Sequence, residues 1–448
     1  MKSLYFNKIY AHKIMLAIGV FSLAACKPSI DTVAPDKGTA DFSRYIAVGD
    51  SYTAGFADGG LYLEGQKNSF PEMLAAQLRN VGGGEFATPF FTEAQANGSG
   101  YLKLTGFNPN GTPIITPETT NLAIRGQVAI PGFGDVTLYT KHTGAINNYG
   151  VPGLKSTHVN FAPYGNLNGY YERLLPGNAG ANNTAYLDFI TAEPFTFFSL
   201  WLGYNDIAGY ANSGGAGDVP TPAPTFSALY HATVNKLVES GARGVLATIP
   251  DLVNLPYFKT VTLESLLAAI RATPAGASVT ALYIKTGANV TRAATVEDLF
   301  TLTLSSANVI GVPNQSQIPY GLHPLNPIES KWVLDPAEVA VVNNFVNDYN
   351  ATIKSAAASK GLALMDAYEL LNTYTTKNEQ GELVGAPVNG AEVSSAFITG
   401  NLYSLDGIHL TPLGYAIMAN GFIKAINSQY GSSIPIVAVS KFSGVKFP

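Results

Sequence analysis

The sequence predicts an α/β protein with a mostly parallel sheet and helices on both faces. Two observations carry this expectation. Short apolar runs alternate along the chain with longer segments of helical composition, which is the rhythm of β-α-β units. One run, "FTFFSLWLG" from Phe195 to Gly203, is apolar and aromatic without a break, as expected for a strand covered on both faces.

The elements follow in order. Tyr45 to Val48 is a short apolar strand that ends in Gly49-Asp50-Ser51. "FPEMLAAQLR", Phe70 to Arg79, has helical composition. After the aromatic strand, "TFSALYHATVNKLVESG" is an amphipathic helix stopped by Gly241, and "GVLATIP" follows as a strand. The long helix that begins "DPAEVAVV" has Asp335 as its expected N-cap and Pro336 at its first position, where the missing N–H costs nothing. "LALMD" is the next strand and "TPLGYAIMANGFIKAINSQYG" the last helix. Two stretches break the rhythm and read as insertions on one core, at about residues 85–146 and 256–331. The first is rich in Gly, Thr, Asn and aromatics and holds the β-like fragments "GQVAI" and "DVTLYT"; the second holds a short helix, "LESLLAAIRA". Structureless loops of such length are uncommon, so each is expected to carry structure of its own.

Of the 448 residues, 46% are hydrophobic and 13% charged, with a formal net charge of -5. The charged share is about half the usual one, and no basic stripe is present, so nucleic acid is excluded as an expected partner. The start reads as a targeting segment. Lys2, Lys8 and Lys13 precede an apolar run from Ile14 to Ala25 that is too short to span a bilayer. It ends in Leu23-Ala24-Ala25-Cys26, and Cys26 is the one cysteine of the chain. This resembles a bacterial lipobox, which implies cleavage before Cys26, a lipid on that residue and residence in the bacterial cell envelope, with the outer membrane the expected site. Residues 1–25 are then a signal peptide, Cys26 to Phe42 a flexible tether, and 43–448 the folded domain. An ordinary signal peptide ending near a cysteine is the alternative.

Four stretches fall where strand ends would meet: Gly49-Asp50-Ser51, "NNYGVPGLKS" (Asn147 to Ser156), "LGYND" (Leu202 to Asp206) and "SLDGIHLTPLGY" (Ser404 to Tyr415). Ligands of open α/β sheets bind outside the carboxyl ends of the strands. Ser51 is either a turn and cap residue or a nucleophile. A nucleophilic serine needs a base within hydrogen-bond reach and a group that fixes the base's tautomer. Of the six histidines, only His409 has a carboxylate three residues before it, Asp406, in a loop that opens a helix; His158 is the rival. Asp406 has a plainer reading as a helix cap. Candidate oxyanion donors are the Ser51 N–H, the Gly153 N–H, with Gly150 as the alternative, and the Asn205 amide. Asp50 and Asp251 read as supports of their turns. Metal binding finds no paired-His spacing and no carboxylate cluster.

At these residues the chain resembles the SGNH (GDSL) hydrolases. Gly49-Asp50-Ser51 with Gly55, the glycine of "GVPG", Gly203-x-Asn205-Asp206 and Asp406-x-x-His409 look like that family's four blocks, in order. The resemblance implies a flavodoxin-like three-layer α/β/α fold with a sheet of about five strands, and a cofactor-free ester hydrolase. It assigns Ser51 as nucleophile, His409 as base, Asp406 as orienting acid, and Ser51, Gly153 and Asn205 as oxyanion donors. Tyr52 departs from the leucine often found there, which bears on packing more than chemistry. The G-x-S-x-G signature of the α/β-hydrolase elbow is not met around Ser51. The expected function is a lipid-anchored esterase or lipase acting on a small-molecule, glycan or lipid ester. A carbohydrate deacetylase and a non-catalytic surface binding lipoprotein are the alternatives.

Overall fold

The computed structural model describes residues 34–448 except 110 and 389. The expected signal peptide and Cys26 lie outside the described residues.

Four parallel strands form the central sheet: β1 (Tyr45–Gly49), β2 (Phe197–Trp201), β3 (Arg243–Ala247) and β4 (Ala363–Met365), side by side in that order. Every residue of β1 and β2 is buried, which explains their continuous apolar character. The sheet thus has four strands where about five were expected. The fifth place, beyond β1, is held by the extended segment Asn147–Val151, which makes a single parallel bridge at Asn148. Its backbone still tracks β1: the Ala47 N–H reaches the Asn147 carbonyl at 2.8 Å, and the Tyr149 and Val151 N–H groups reach the carbonyls of Ala47 and Gly49 at 2.8 and 3.0 Å. Two glycines and a proline within "NNYGVPG" keep it from becoming a full strand. Counting this segment, the strand order is the flavodoxin-like 2-1-3-4-5, with the topological switch at β1.

The helices that matter here are α1 (Ser51–Ala54), α2 (Phe70–Leu78), α3 (Asn205–Asn212), α4 (Ala223–Val238), α5 (Pro336–Lys360) and α6 (Pro412–Tyr430). On one side α6 packs on α2 and on the sheet, with Phe70 stacked on Phe422 at 4.4 Å. On the other, α5 packs on α4, with Phe226 stacked on Tyr349 at 4.1 Å. The α5 start is capped as expected: the Asp335 carboxylate accepts from the Ala337 and Glu338 N–H groups, and Glu338 returns a bond to the Asp335 N–H, a capping box. No helix of the described residues is long and apolar enough to cross a membrane.

Both insertions carry structure. In the first, Tyr101–Phe107 pairs with Pro113–Glu118, and Ile124–Ile130 pairs with Gly134–Tyr139, as two antiparallel hairpins. The second holds the helix Leu263–Arg271 and a small core of its own around Leu282, Ile284, Phe300, Leu304 and Ile328. The end of the expected tether is docked rather than loose. Phe42 is buried edge-on against Phe197 at 4.8 Å, and the Thr39 N–H bonds the Tyr430 carbonyl at 2.9 Å. An aromatic side chain that fills the end of the sheet core holds the chain that carries it.

Candidate active site

The carboxyl end of β1 turns sharply into α1. Gly49 sits at φ +152°, and a Cβ there would lie 2.2 Å from the Trp201 carbonyl oxygen, so only glycine lets β1 and β2 end this close together. Asp50 caps α1, its carboxylate accepting from the Tyr52 N–H at 3.1 Å. Ser51 is therefore the first helical residue, at the switch point, with an N–H that has no partner inside the helix.

The loop before α6 brings His409 to Ser51 across 358 positions of sequence: His409 Nε2 lies 2.8 Å from Ser51 Oγ. Its other ring nitrogen, Nδ1, lies 2.8 Å from Asp406 Oδ2. Asp406 also accepts from the N–H groups of Gly59, Ile408 and His409, at 2.9, 2.8 and 2.8 Å. Burial pushes the Asp406 carboxyl up, but the imidazole beside it and these donors outweigh burial and hold it down at about 2. A carboxylate that stays ionised keeps the imidazole proton on Nδ1 and leaves Nε2 free to accept from the serine hydroxyl. The cap of α6 is Thr411, whose hydroxyl accepts from the Gly414 N–H at 3.1 Å, so the reading of Asp406 as that cap is set aside.

The other described histidines bond locally. His158 Nδ1 accepts from the Lys155 N–H in its own turn while the ring stacks on Tyr164 at 4.2 Å. Burial, then the Lys155 charge, pulls it down to about 4. His231 bonds the Ser227 carbonyl one helical turn back, His142 the Ala145 carbonyl, and His323 the Leu325 N–H.

The two glycines of the second stretch do different work. A Cβ on Gly150 would lie 2.2 Å from the Ala54 nitrogen, and the Gly150 N–H is taken by Asn148 Oδ1 at 3.0 Å. Gly153 is exposed, at φ +82°, with only Asn168 Nδ2 near its Cβ position; among the described residues its N–H meets no acceptor. Asn205 opens α3. Its amide nitrogen stands 3.2 Å from both Asp50 Oδ2 and the Leu154 carbonyl. Both amide protons thus have acceptors, at the long end of the hydrogen-bond range. Asp206, buried beside it, accepts from the Ser156 N–H at 2.9 Å and hydroxyl at 2.6 Å and ties the second and third stretches together. Asp251 holds the amides of Asn254 and Asn372, a structural task. Among the described residues no group of His, Cys, Asp and Glu is placed to hold a metal ion.

Sequence reasoning read Tyr52 as a packing residue without its hydroxyl contact, and missed Phe56 and Asp58. Tyr52 is fully buried, stacked on Trp201 at 4.7 Å, and its hydroxyl donates to the Ile408 carbonyl at 3.1 Å, which ties α1 to the residue before His409. Phe56 lies 4.7 Å from the His409 ring and edge-on to Tyr170, which stacks on Tyr139 of the first insertion at 4.5 Å. Asp58 bonds the loop of Asp406 directly.

Asp50 carries a pH signature. Burial raises its carboxyl to about 8, an effect that the Tyr52 N–H only partly offsets and that nearby Asp206 reinforces. The unfolded chain gives up the same proton near pH 4, about 3.9 for a free aspartate. Between those values the folded state binds more protons than the unfolded one, so this group's contribution to stability is full below about pH 4 and is lost as pH rises toward 8. The Tm of Asp50→Asn is expected to fall less steeply than that of the parent between pH 4.5 and 8, a window inside those two limits. Identical slopes in the two proteins would contradict this.

Residues 45–422 match the family model of the GDSL-like lipase/acylhydrolases. Among solved structures, an α/β hydrolase from the metagenome of Lake Arreo, Spain, is similar at 11% identity and a TM-score of 0.37, over 87% of this chain and 97% of that one. An extracellular lipase from Streptomyces rimosus is similar at 13% and 0.29, over 86% and 98%. A gut microbial diltiazem-metabolizing enzyme is similar at 12% and 0.30, over 87% of this chain and 49% of that one. The curated proteins include no match. A match that runs from β1 into α6 takes in all four stretches, and the chain belongs to the GDSL-like lipase/acylhydrolase family of ester-bond hydrolases.

Proposed function

We propose that the chain is an exported, lipid-anchored serine esterase that works through Ser51, His409 and Asp406. The observation that carries this is the unbroken line from Ser51 Oγ to His409 Nε2 and from His409 Nδ1 to Asp406 Oδ2, both 2.8 Å. His409 takes the hydroxyl proton as Ser51 Oγ attacks the acyl carbonyl. The carbonyl oxygen becomes an oxyanion that receives the N–H groups of Ser51 and Gly153 and the Asn205 amide, which lets go of the Asp50 or Leu154 oxygen to do so. The imidazolium then gives its proton to the departing alkoxide. An acyl-Ser51 ester remains, and water attacks it by the same sequence. Donors of this kind are each worth roughly 10²–10³ in rate. Lipid on Cys26 would hold the enzyme on a membrane of the bacterial envelope, with the outer membrane as the proposed site.

The substrate class follows from the wall beside the imidazole. Phe56 and Tyr170 offer an apolar face next to His409, which suits an acyl chain. The same aromatic pair would stack a pyranose ring, which keeps a carbohydrate deacetylase as the second reading. The test is release of alcohol from short-chain aryl esters, acetylated sugars and lysophospholipids by the purified protein. Turnover of at least one class, with a burst of one alcohol per chain as acyl-enzyme builds up, is expected. No turnover of any class by the folded protein would favour the non-catalytic binder.

A further inference from the structure

We infer that Asp58 is a positioning residue for the reaction, holding the Asp406 carboxylate in line with His409; this rests on the triad proposed above. Asp58 lies in "FADGGLY", the loop that leaves α1, and belongs to none of the four stretches. It reaches the Asp406 loop 347 positions away by two bonds of its own: its Oδ1 accepts from the Leu405 N–H at 2.9 Å, and its N–H donates to Ser404 Oγ at 2.9 Å. Each bond leads on to Asp406. Ser404 Oγ donates to Asp406 Oδ1 at 3.2 Å. The next residue, Gly59, donates its N–H to Asp406 Oδ2 at 2.9 Å, the same oxygen that accepts from the His409 Nδ1–H.

Two further contacts fix Asp58 itself, and a third fixes its partner Tyr62. The Tyr62 hydroxyl donates to its Oδ2 at 2.7 Å, the Leu102 N–H bonds its carbonyl at 2.7 Å, and Tyr62 stacks on Tyr101 at 4.1 Å. Leu102 and Tyr101 belong to the first hairpin of the insertion, so the insertion braces the loop that braces the acid. Asp58 at φ +52° and Gly59 at φ +74° are the two central residues of a tight turn closed by the Ala57–Gly60 pair, a turn that Asp-Gly suits. All the donors that meet the Asp58 carboxylate suit an acceptor-only group. Asp406 makes its other backbone bonds within its own turn, to Ile408 and His409. Gly59 supplies the N–H from outside that turn, and so sets where the turn stands relative to Ser51.

The test is steady-state kinetics on an aryl ester with the full chain, alongside the low-field proton resonance of the His409 Nδ1–H. Asp58→Ala is expected to lower kcat by about 10- to 100-fold with KM moved less than about threefold, the size of effect a misplacement near one ångström gives. The imidazole resonance is expected to shift or broaden with it. Asp58→Asn is expected to recover kcat to within about threefold of the parent. The amide oxygen can still accept from Leu405, and its NH₂ can donate to the Tyr62 hydroxyl, which reverses its role. Adding Tyr62→Phe removes that acceptor and is expected to undo the recovery. An Asp58→Ala protein with kcat within about twofold of the parent and an unmoved resonance would overturn the inference. Should Asp58→Ala fail to fold, equal kcat in Asp58→Asn with and without Tyr62→Phe overturns it instead. Asp406→Asn serves as the reference. If that variant stays active, the triad itself fails; if it is inactive while Asp58→Ala is active, only the role of Asp58 fails.

Discussion

Ser51→Ala is expected to lower kcat on an aryl ester by about 10⁶-fold, the loss seen when the serine of a Ser-His-Asp set is removed. The residue is 4% exposed, and its hydroxyl meets His409 Nε2 at 2.8 Å. Alanine fits the same space and deletes one oxygen. The first helical position tolerates it, because the cap of α1 is made by Asp50 and not by Ser51. Folding and substrate binding should therefore survive while the bond-forming atom is gone. The proposed donors at Gly153 and Asn205 remain, and residual catalysis of about 10³-fold over water is expected from them. Measured kcat above a tenth of the parent, in a protein of parental Tm, would contradict this.

Asp406→Asn is expected to cost about 10⁴ in kcat, with KM little changed, as in a triad whose imidazole is left in the wrong tautomer. At present Asp406 is an acceptor only, held ionised although it is buried. Asparagine offers one oxygen and one NH₂ to a site where His409 Nδ1 and the N–H groups of Gly59, Ile408 and His409 all converge. If the NH₂ faces the ring, Nδ1 must accept, the proton moves to Nε2, and no base faces Ser51. If the oxygen faces the ring, the NH₂ meets backbone donors and the loop is strained. Either way the rate falls. A kcat within about tenfold of the parent would show that His409 is oriented without this carboxylate.

Much of this was legible because the signals were local. Strands β1 and β2 are read from runs that have no polar alternation, and α5 from Asp335-Pro336. "GQVAI" and "DVTLYT" announce strands, and they prove to be each other's partners, Val128 opposite Val136. The first hairpin was not legible: Pro113 and Pro117 stand in its second strand, and a two-stranded ribbon has edges where proline is tolerated. The segment Asn147–Val151 hides its place beside β1 because its backbone, not its side chains, does the pairing.

At the site, sequence named the residues whose chemistry is distinctive. It could not see Asp58, since nothing in "ADGG" tells that its partners lie near position 405. Nor could it see that the Tyr52 hydroxyl reaches Ile408, or that Gly150 is a close backbone approach while Gly153 keeps its N–H open. Nor could it see that the Asn205 amide, read as a candidate oxyanion donor, rests on Asp50 and Leu154. Long-range hydrogen bonds of this kind leave no periodic trace in a sequence.

The account turns on one serine being made nucleophilic by one imidazole. Peptide mapping by mass spectrometry after treatment with a fluorophosphonate tests it most directly. The account predicts one phosphonylated residue per chain, Ser51, with labelling lost in His409→Ala. An adduct on a different side chain, or none on the folded protein, would contradict it.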